Sequence, residues 1–181
     1  VTGALAIGMR QMAKENALVR KMPAVETLGC TTVICTDKTG TLTRGEMTVR
    51  KVYLQGMMVE VSGAGYAPDG KFTARGETMK AVGNRAFEQF LTCGILCNDS
   101  DLQETDGQWR VTGDPTEGSL VVAAAKADMR VRETRLGSPR VEEIPFSSER
   151  KRMTTIHEAA GQRKACMKGA PEVVLERCTQ V

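Results

Sequence analysis

The chain has 181 residues, enough for one domain with its own core, or for one domain and a piece of another. Its 41% hydrophobic and 26% charged residues are ordinary for a soluble globular protein. A net charge of only +3 and 4% aromatics argue against nucleic acid as a partner, since neither a basic field nor a base-stacking platform is present.

Residues 2–20 carry good helix formers, and Pro23 ends the run. The opening VTGALAIGM is about half of what a bilayer needs, and it leads straight into Arg10, Lys14, Arg20 and Lys21. It reads either as the cytoplasmic end of a membrane helix or as an amphipathic soluble helix. There is no signal peptide and no initiator methionine.

Residues 31–36 (TTVICT) are β-branched and mostly apolar, which predicts a buried strand of a parallel sheet. That strand ends on Asp37, and Gly40 then permits a tight turn. A carboxylate so placed can attack phosphorus and form an aspartyl phosphate, given a magnesium ion, donors for the phosphoryl oxygens and in-line geometry. Thr39 offers a hydroxyl to the phosphoryl group and a carbonyl to the metal. Asp37 and Thr39 are therefore the candidate catalytic and magnesium-binding residues. An Asx-turn would explain Asp37 alone, but not the whole of DKTGTLT.

Next, EMTVRKVYLQG and MMVEVSG predict two strands joined around Gln55-Gly56. GAGYAPDGKFTARG reads as a surface loop with a turn at Pro68-Asp69-Gly70. Residues 78–96 show helical spacing, stopped by Asn98-Asp99-Ser100. WRVTGDPTEGSLVVAAAKA predicts a strand, a turn and a helix, with Asp114 as N-cap, Pro115 in the first turn and Glu117 at the capping-box position. An Arg-rich helical piece near 128–136 precedes strand-like VEEIPF, RMTTIHE and RKACMK, and a last helix starts at Pro171. The cysteines form no CxxC pair and His157 is the single histidine. Cys93 and Cys97 could clamp a metal from one helix face, but thiols in a reducing cytosol are the preferred reading. From about residue 46 the pattern is thus α+β, an antiparallel sheet with helices. It follows one parallel-type strand without partners, which suggests a piece of a longer protein.

DKTGTLT resembles the phosphorylation motif of P-type ATPases. MPAVETLGCTTVICTDKTGTLT is similar to the cation-pumping branch that includes calcium and sodium–potassium pumps. GDPTEGSL, PFSSERKRM and MKGAPE follow in the order of that branch's nucleotide-binding domain. The heavy-metal branch is marked by a His-Pro pair, whereas Glu158 follows His157 here. The resemblance implies the cytoplasmic end of a membrane helix and a stalk over residues 1–26. It implies the first strand of a haloacid-dehalogenase-like, Rossmann-like phosphorylation domain over 27–45, and a nucleotide-binding domain lacking its C-terminal part over 46–181. It also implies ATP and magnesium as cofactors, a transported cation bound outside this chain, and a place on the cytoplasmic face of a membrane through the parent protein. Thr39 stands where phosphatases of the wider superfamily carry a second Asp. A threonine cannot deprotonate water, so an acyl phosphate here should persist.

The resemblance assigns Phe146 to adenine stacking, Lys168 and Gly169 to the adenine pocket, Lys151 to the phosphates and Glu117 to the adenine amino group. Ser148 stands where some calcium pumps carry an arginine and other pumps a serine; Arg150 is given no role. On the residues alone, Phe146 could be core, Glu117 a helix cap, residues 168–171 an ordinary strand-to-helix turn, and residues 150–152 a solvated face. The expected activity is ATP-driven phosphorylation of Asp37 coupled to cation transport, with calcium the preferred ion and sodium, potassium or protons the rivals. A stand-alone ATP-binding module is the alternative; a soluble phosphatase is disfavoured by Thr39.

Overall fold

The computed structural model describes residues 2–38, 40–43 and 45–179, and it divides into two compact units, Val1–Arg44 and Gly45–Val181. In the first unit, helix α1 spans Thr2–Lys14 and α2 spans Met22–Gly29. The helical run therefore stops well before Pro23. Asn16 takes a left-handed φ of 61°, a conformation that Asn tolerates, and Ala17 N donates back to Met12 O at 2.8 Å. Pro23 does not end a helix but opens the second one, where its missing N–H costs nothing. Among the described residues, no helix is long and apolar enough to cross a membrane.

Residues 31–36 correct the expectation of a buried strand. They pair with no strand among the described residues, and Val33 and Ile34 are 76% and 79% exposed. A parallel strand needs neighbours to satisfy its ladder and to bury both faces. Among the described residues of this unit there is no such neighbour.

Among its described residues the second unit carries three antiparallel sheets rather than one. Strands β1 (Lys51–Leu54), β2 (Met57–Val61), β3 (Phe72–Ala74) and β4 (Glu77–Met79) form a meander. The β1–β2 hairpin turns at Gln55-Gly56, both at positive φ, the geometry of the tight hairpin turn that glycine favours. Strand β3 lies inside the segment expected to be loop, and that segment is anchored rather than free. Ser62 N donates to Lys71 O, Lys71 N donates to Ser62 Oγ at 2.8 Å, and the buried Lys126 amine donates to Ser62 O at 3.0 Å.

Helix α3 runs over Arg85–Leu96, capped by Asn84, whose side chain accepts from Phe87 N. It starts later than the periodicity suggested because residues 77–79 are taken by β4. Hairpin β5 (Asp101–Thr105) and β6 (Gln108–Thr112) leads to α4 (Pro115–Lys126). Then come α5 (Val131–Gly137), the sheet β7 (Arg140–Ser147), β8 (Arg152–Ala159) and β9 (Gln162–Gly169), and α6 (Pro171–Leu175).

The core lies where the first sheet meets α3 and α4, with Val59, Phe72, Phe87, Leu91, Ile95 and Ala124 in one cluster. Phe72 and Phe87 meet edge to face at 4.9 Å, an arrangement that adds to their area burial. Helix α4 can lie close on β6 because residue 118 has no side chain: a Cβ there would stand 2.2 Å from Val111 Cγ1. Gly118→Ala is expected to destabilise the chain by about 1–3 kcal/mol, the usual cost of overpacking, read as a lowered urea midpoint. Restoration by the double variant Gly118→Ala, Val111→Ala would locate the strain at this contact.

Candidate functional site

Asp37 belongs to the first unit, at the entrance of a self-contained turn. Its Oδ1 accepts from Lys38 N at 2.7 Å, and Thr36 Oγ1 donates to the Asp37 carbonyl. The Lys38 carbonyl then collects Leu42 N, Thr43 N and the Thr43 hydroxyl at 3.0, 3.1 and 3.3 Å. Gly40 sits within this turn at φ 78°, where a side chain would be strained. The carboxylate is exposed to solvent. Thr39, the other candidate here, lies outside the described residues. Among the described residues no three His, Cys, Asp or Glu side chains gather, so Asp37 could supply only one arm of a magnesium site.

The remaining candidates lie in the second unit, and the fold brings four of them into two close pairs. Glu117 on α4 and Lys168 on β9, far apart in sequence, form an ion pair in which both side chains are largely shielded. The second oxygen, Glu117 Oε2, accepts from Asp99 N at 2.8 Å. This corrects the capping-box expectation. Asp114 does cap α4, accepting from Thr116 N and Glu117 N at 2.8 and 3.1 Å, but the Glu117 carboxylate turns to Lys168 and Asp99 instead of back to the cap. The amide of Glu117, followed by burial, the Thr116 donors and the Lys168 charge, sets the balance at Asp114, whose carboxyl is held below the usual range.

Gly169 and Lys151 form the second pair. A Cβ on residue 169 would lie 2.4 Å from Lys151 O, and Ala170 N donates to that same carbonyl at 3.0 Å. Lys151 itself takes φ 50° and donates its N–H to Ser147 O at 2.7 Å, so Ser148 and Lys151 share one tight turn between β7 and β8. Phe146 precedes this turn and is 61% exposed. It is not core, which removes the packing alternative for this ring. Arg150 is engaged with protein groups: it donates to Ile144 O and Pro145 O at 3.4 and 3.1 Å and braces the strand immediately before Phe146.

Three further residues organise the site, and motif reading passed over them. Asn98 is 3% exposed; its Nδ2 donates to Gly94 O at 3.0 Å and to Glu117 O at 2.8 Å, while its Oδ1 accepts from Ser100 N. It welds the end of α3 to the start of α4. Arg140 then donates to Asp99 Oδ1 and Glu143 Oε2, both at 2.7 Å, and to the carbonyls of Leu96 and Asn98. Burial disfavours its charge, but Asp99 and Glu143 outweigh that and raise its pKa. His157 is a structural link, bonded to Ser138 O and Thr155 Oγ1 at 2.9 Å each. The only sequence signal for Asn98 was its place in the Asn-Asp-Ser helix stop.

The family model described as "P-type ATPase, cytoplasmic domain N" matches residues 86–181. The chain is 47% identical over 183 residues to the cation-transporting ATPase pma1 of Synechocystis, covering 98% of this chain and 20% of that protein. It is 42% identical over 182 residues to a calcium-transporting ATPase of Bacillus subtilis, covering 100% of this chain and 20% of that protein.

The chain belongs to the P-type ATPase family.

A mammalian relative, calcium-transporting ATPase type 2C member 1 of Bos taurus, is 40% identical over 184 residues, with 99% of this chain and 19% of that protein covered. The chain thus spans about a fifth of the length of the curated relatives it matches. Within this P-type ATPase chain, the Glu117–Lys168 pair rests on Asn98, whose loss would leave the Gly94 and Glu117 carbonyls and the Ser100 amide short of a partner. Asn98→Ala is expected to cost about 2–3 kcal/mol, since stranded buried polar groups carry a desolvation penalty. Guanidinium unfolding would show it, together with faster hydrogen exchange at the Asp99 amide.

Proposed function

We propose that this chain is the phosphate-accepting and nucleotide-binding part of an ATP-driven cation pump, with calcium as the transported ion. The observation that carries the reading is that nearly the whole chain aligns with proteins named as cation- and calcium-transporting ATPases. The exposed Phe146 ring, the shielded Lys168–Glu117 pair and the Lys151–Gly169 turn are compatible with a nucleotide seat in the second unit. On this reading residues 1–26 form the membrane-proximal stalk, 27–45 open a haloacid-dehalogenase-like phosphorylation domain, and 46–181 bind nucleotide on the cytoplasmic face.

The roles follow from the chemistry of each group. Phe146 offers an open π-face to the adenine. A carboxylate has about four lone-pair sites, so Glu117 can accept from the adenine amino group while keeping Asp99 N and Lys168. Lys168 and the bare backbone at Gly169 line the base, Ser148 offers a hydroxyl, and Lys151 places a compact charge for the phosphates. Asp37 attacks the γ-phosphorus in line. The new O–P bond forms as the bond to the β,γ-bridging oxygen breaks, and ADP leaves. Magnesium, held by Asp37 and Thr39, would neutralise charge on the transferred group. With Thr39 in place of a second acid, no side chain at that position draws a proton from water, so the acyl phosphate outlives the transfer.

In the full-length pump, γ-labelled ATP should leave an acid-stable, hydroxylamine-sensitive label that Asp37→Asn abolishes. Label persisting in that variant would sink the assignment of the nucleophile. The isolated 181-residue chain should bind ATP but label poorly, because donors outside it would be needed to stabilise the transition state. In calorimetric titration, Phe146→Ala should weaken ATP by about 1–3 kcal/mol, the worth of one aromatic–base stack. Lys168→Ala should weaken it by a similar amount. Equal affinity in wild type and both variants would remove the nucleotide seat from this surface.

A further inference from the structure

Helix α3 and strand β9 bring two thiols together in the second unit. Cys93 and Cys166 are both half-buried, and Cys93 Sγ donates at 3.7 Å to the carbonyl of Met167, the neighbour of Cys166 on β9, close enough for the two thiols to perturb one another. Side chains alternate along a strand, so Cys166 and Lys168 share one face of β9, opposite Thr155 and Met153 of β8. That face packs on α3: Thr155 Oγ1 donates to Leu96 O, and Cys97 Sγ contacts Met153 O at 3.6 Å. The thiol pair therefore sits one strand repeat from the amine that holds Glu117.

We propose that Cys93 and Cys166 form a reversible disulfide, made by a hydroperoxide, that weakens nucleotide binding at the adjoining Lys168–Glu117 pair. The regulatory half of this inference rests on the nucleotide reading above; the disulfide does not. The environment divides the labour between the two sulfurs. The neighbouring Cys166 thiol draws the Cys93 thiol down to about 7, with the Lys168 charge acting the same way against burial, a direction that favours the thiolate, the form that reacts. Cys93 and burial push Cys166 up, which suits it to the role of resolving thiol.

The Cys93 thiolate attacks the distal oxygen of the hydroperoxide, the O–O bond breaks, and the alkoxide or hydroxide leaves and takes a proton from water. Cys93 becomes a sulfenic acid. The Cys166 sulfur then attacks Cys93, the S–O bond breaks, and its proton departs with the hydroxyl as water. Two electrons pass from the thiols to the peroxide, and a dithiol reductant reverses the step. Cys93 and Cys166 are half-buried rather than enclosed, while Cys97 is buried, with its thiol pushed up by that burial.

The test uses the full chain with Cys30→Ser, Cys35→Ser and Cys178→Ser, which removes the three exposed thiols. It is treated with hydrogen peroxide, blocked with iodoacetamide, mapped as peptides without reduction, and titrated with ATP before oxidation, after it, and after dithiothreitol. The expected results are a Cys93–Cys166 cross-linked peptide, its loss in Cys93→Ser and in Cys166→Ser, and its retention in Cys97→Ser. ATP affinity should fall about tenfold on oxidation, the loss of one charge-assisted hydrogen bond, and recover on reduction. Both sulfurs still alkylated after peroxide, or a pairing with Cys97 instead, would overturn the disulfide. A cross-link with unchanged ATP affinity would overturn the switch. Failure of the reduced chain to bind ATP would count against the nucleotide reading, while the peptide map, which needs no nucleotide, would still decide the disulfide.

Discussion

The Asn98 carboxamide holds two helices in one register, and the rest of the candidate nucleotide surface hangs from it. Its two N–H groups reach Gly94 O in α3 and Glu117 O in α4, and its oxygen takes Ser100 N. A buried amide must find all these partners or carry a desolvation penalty, so the end of α3 and the first turn of α4 cannot slide independently. Once they are fixed, Asp99 N faces Glu117 Oε2, and Arg140 closes the loop by gathering Asp99 and the Leu96 and Asn98 carbonyls. The position of the Glu117 carboxylate is thus a consequence of backbone satisfaction, with Lys168 arriving from a strand much later in sequence.

The other half of the surface is fixed by a different device. Phe146 sits on β7, an edge strand exposed along most of its length, where nothing in the core would hold an aromatic ring outward. Arg150 reaches back from the turn to the carbonyls of Ile144 and Pro145, and the turn closes through Lys151 N on Ser147 O. The strand is held by charge-assisted bonds to its backbone, so the ring needs no packing of its own. The absence of a side chain at residue 169 lets the start of α6 approach this turn within hydrogen-bond distance.

Features governed by local chemistry were legible in the sequence. Asp114 and Pro115 start α4 because a cap and a fixed φ act within a few residues, and Gln55-Gly56 turns a hairpin for similar reasons. Apart from the local break at Asn16 that ends α1 before Pro23, most failures involve distant competitors. Glu117 has capping-box spacing, but an ammonium contributed from β9 claims its oxygen. Residues 62–71 have loop composition, yet the Lys126 amine from α4 pins them. The α3 periodicity extended into residues 78 and 79, which β3 recruits as strand partners. Asn98 looked like a helix stop because only the fold reveals that Glu117 O lies above it. Family likeness supplied the candidate site residues, whereas spacing alone favoured Phe146 as core, and the structure exposes it.

The turn at Asp37 shows why the two kinds of information separate. Lys38 O collects three donors and Asp37 Oδ1 takes the neighbouring amide, so seven consecutive residues can specify the turn without help. The expected strand before it cannot be specified this way: Val33 and Ile34 are exposed here, and a parallel strand forms only where neighbouring strands complete its ladder and cover its faces. The same asymmetry bears on the proposed chemistry. Presenting the Asp37 carboxylate is a local task, met by Lys38 N on Oδ1 and by Leu42 N and Thr43 N on the Lys38 carbonyl. If the carboxylate accepts phosphate as proposed, the three donors so committed cannot also serve the phosphoryl oxygens, and further cations and donors have to come from residues outside the motif.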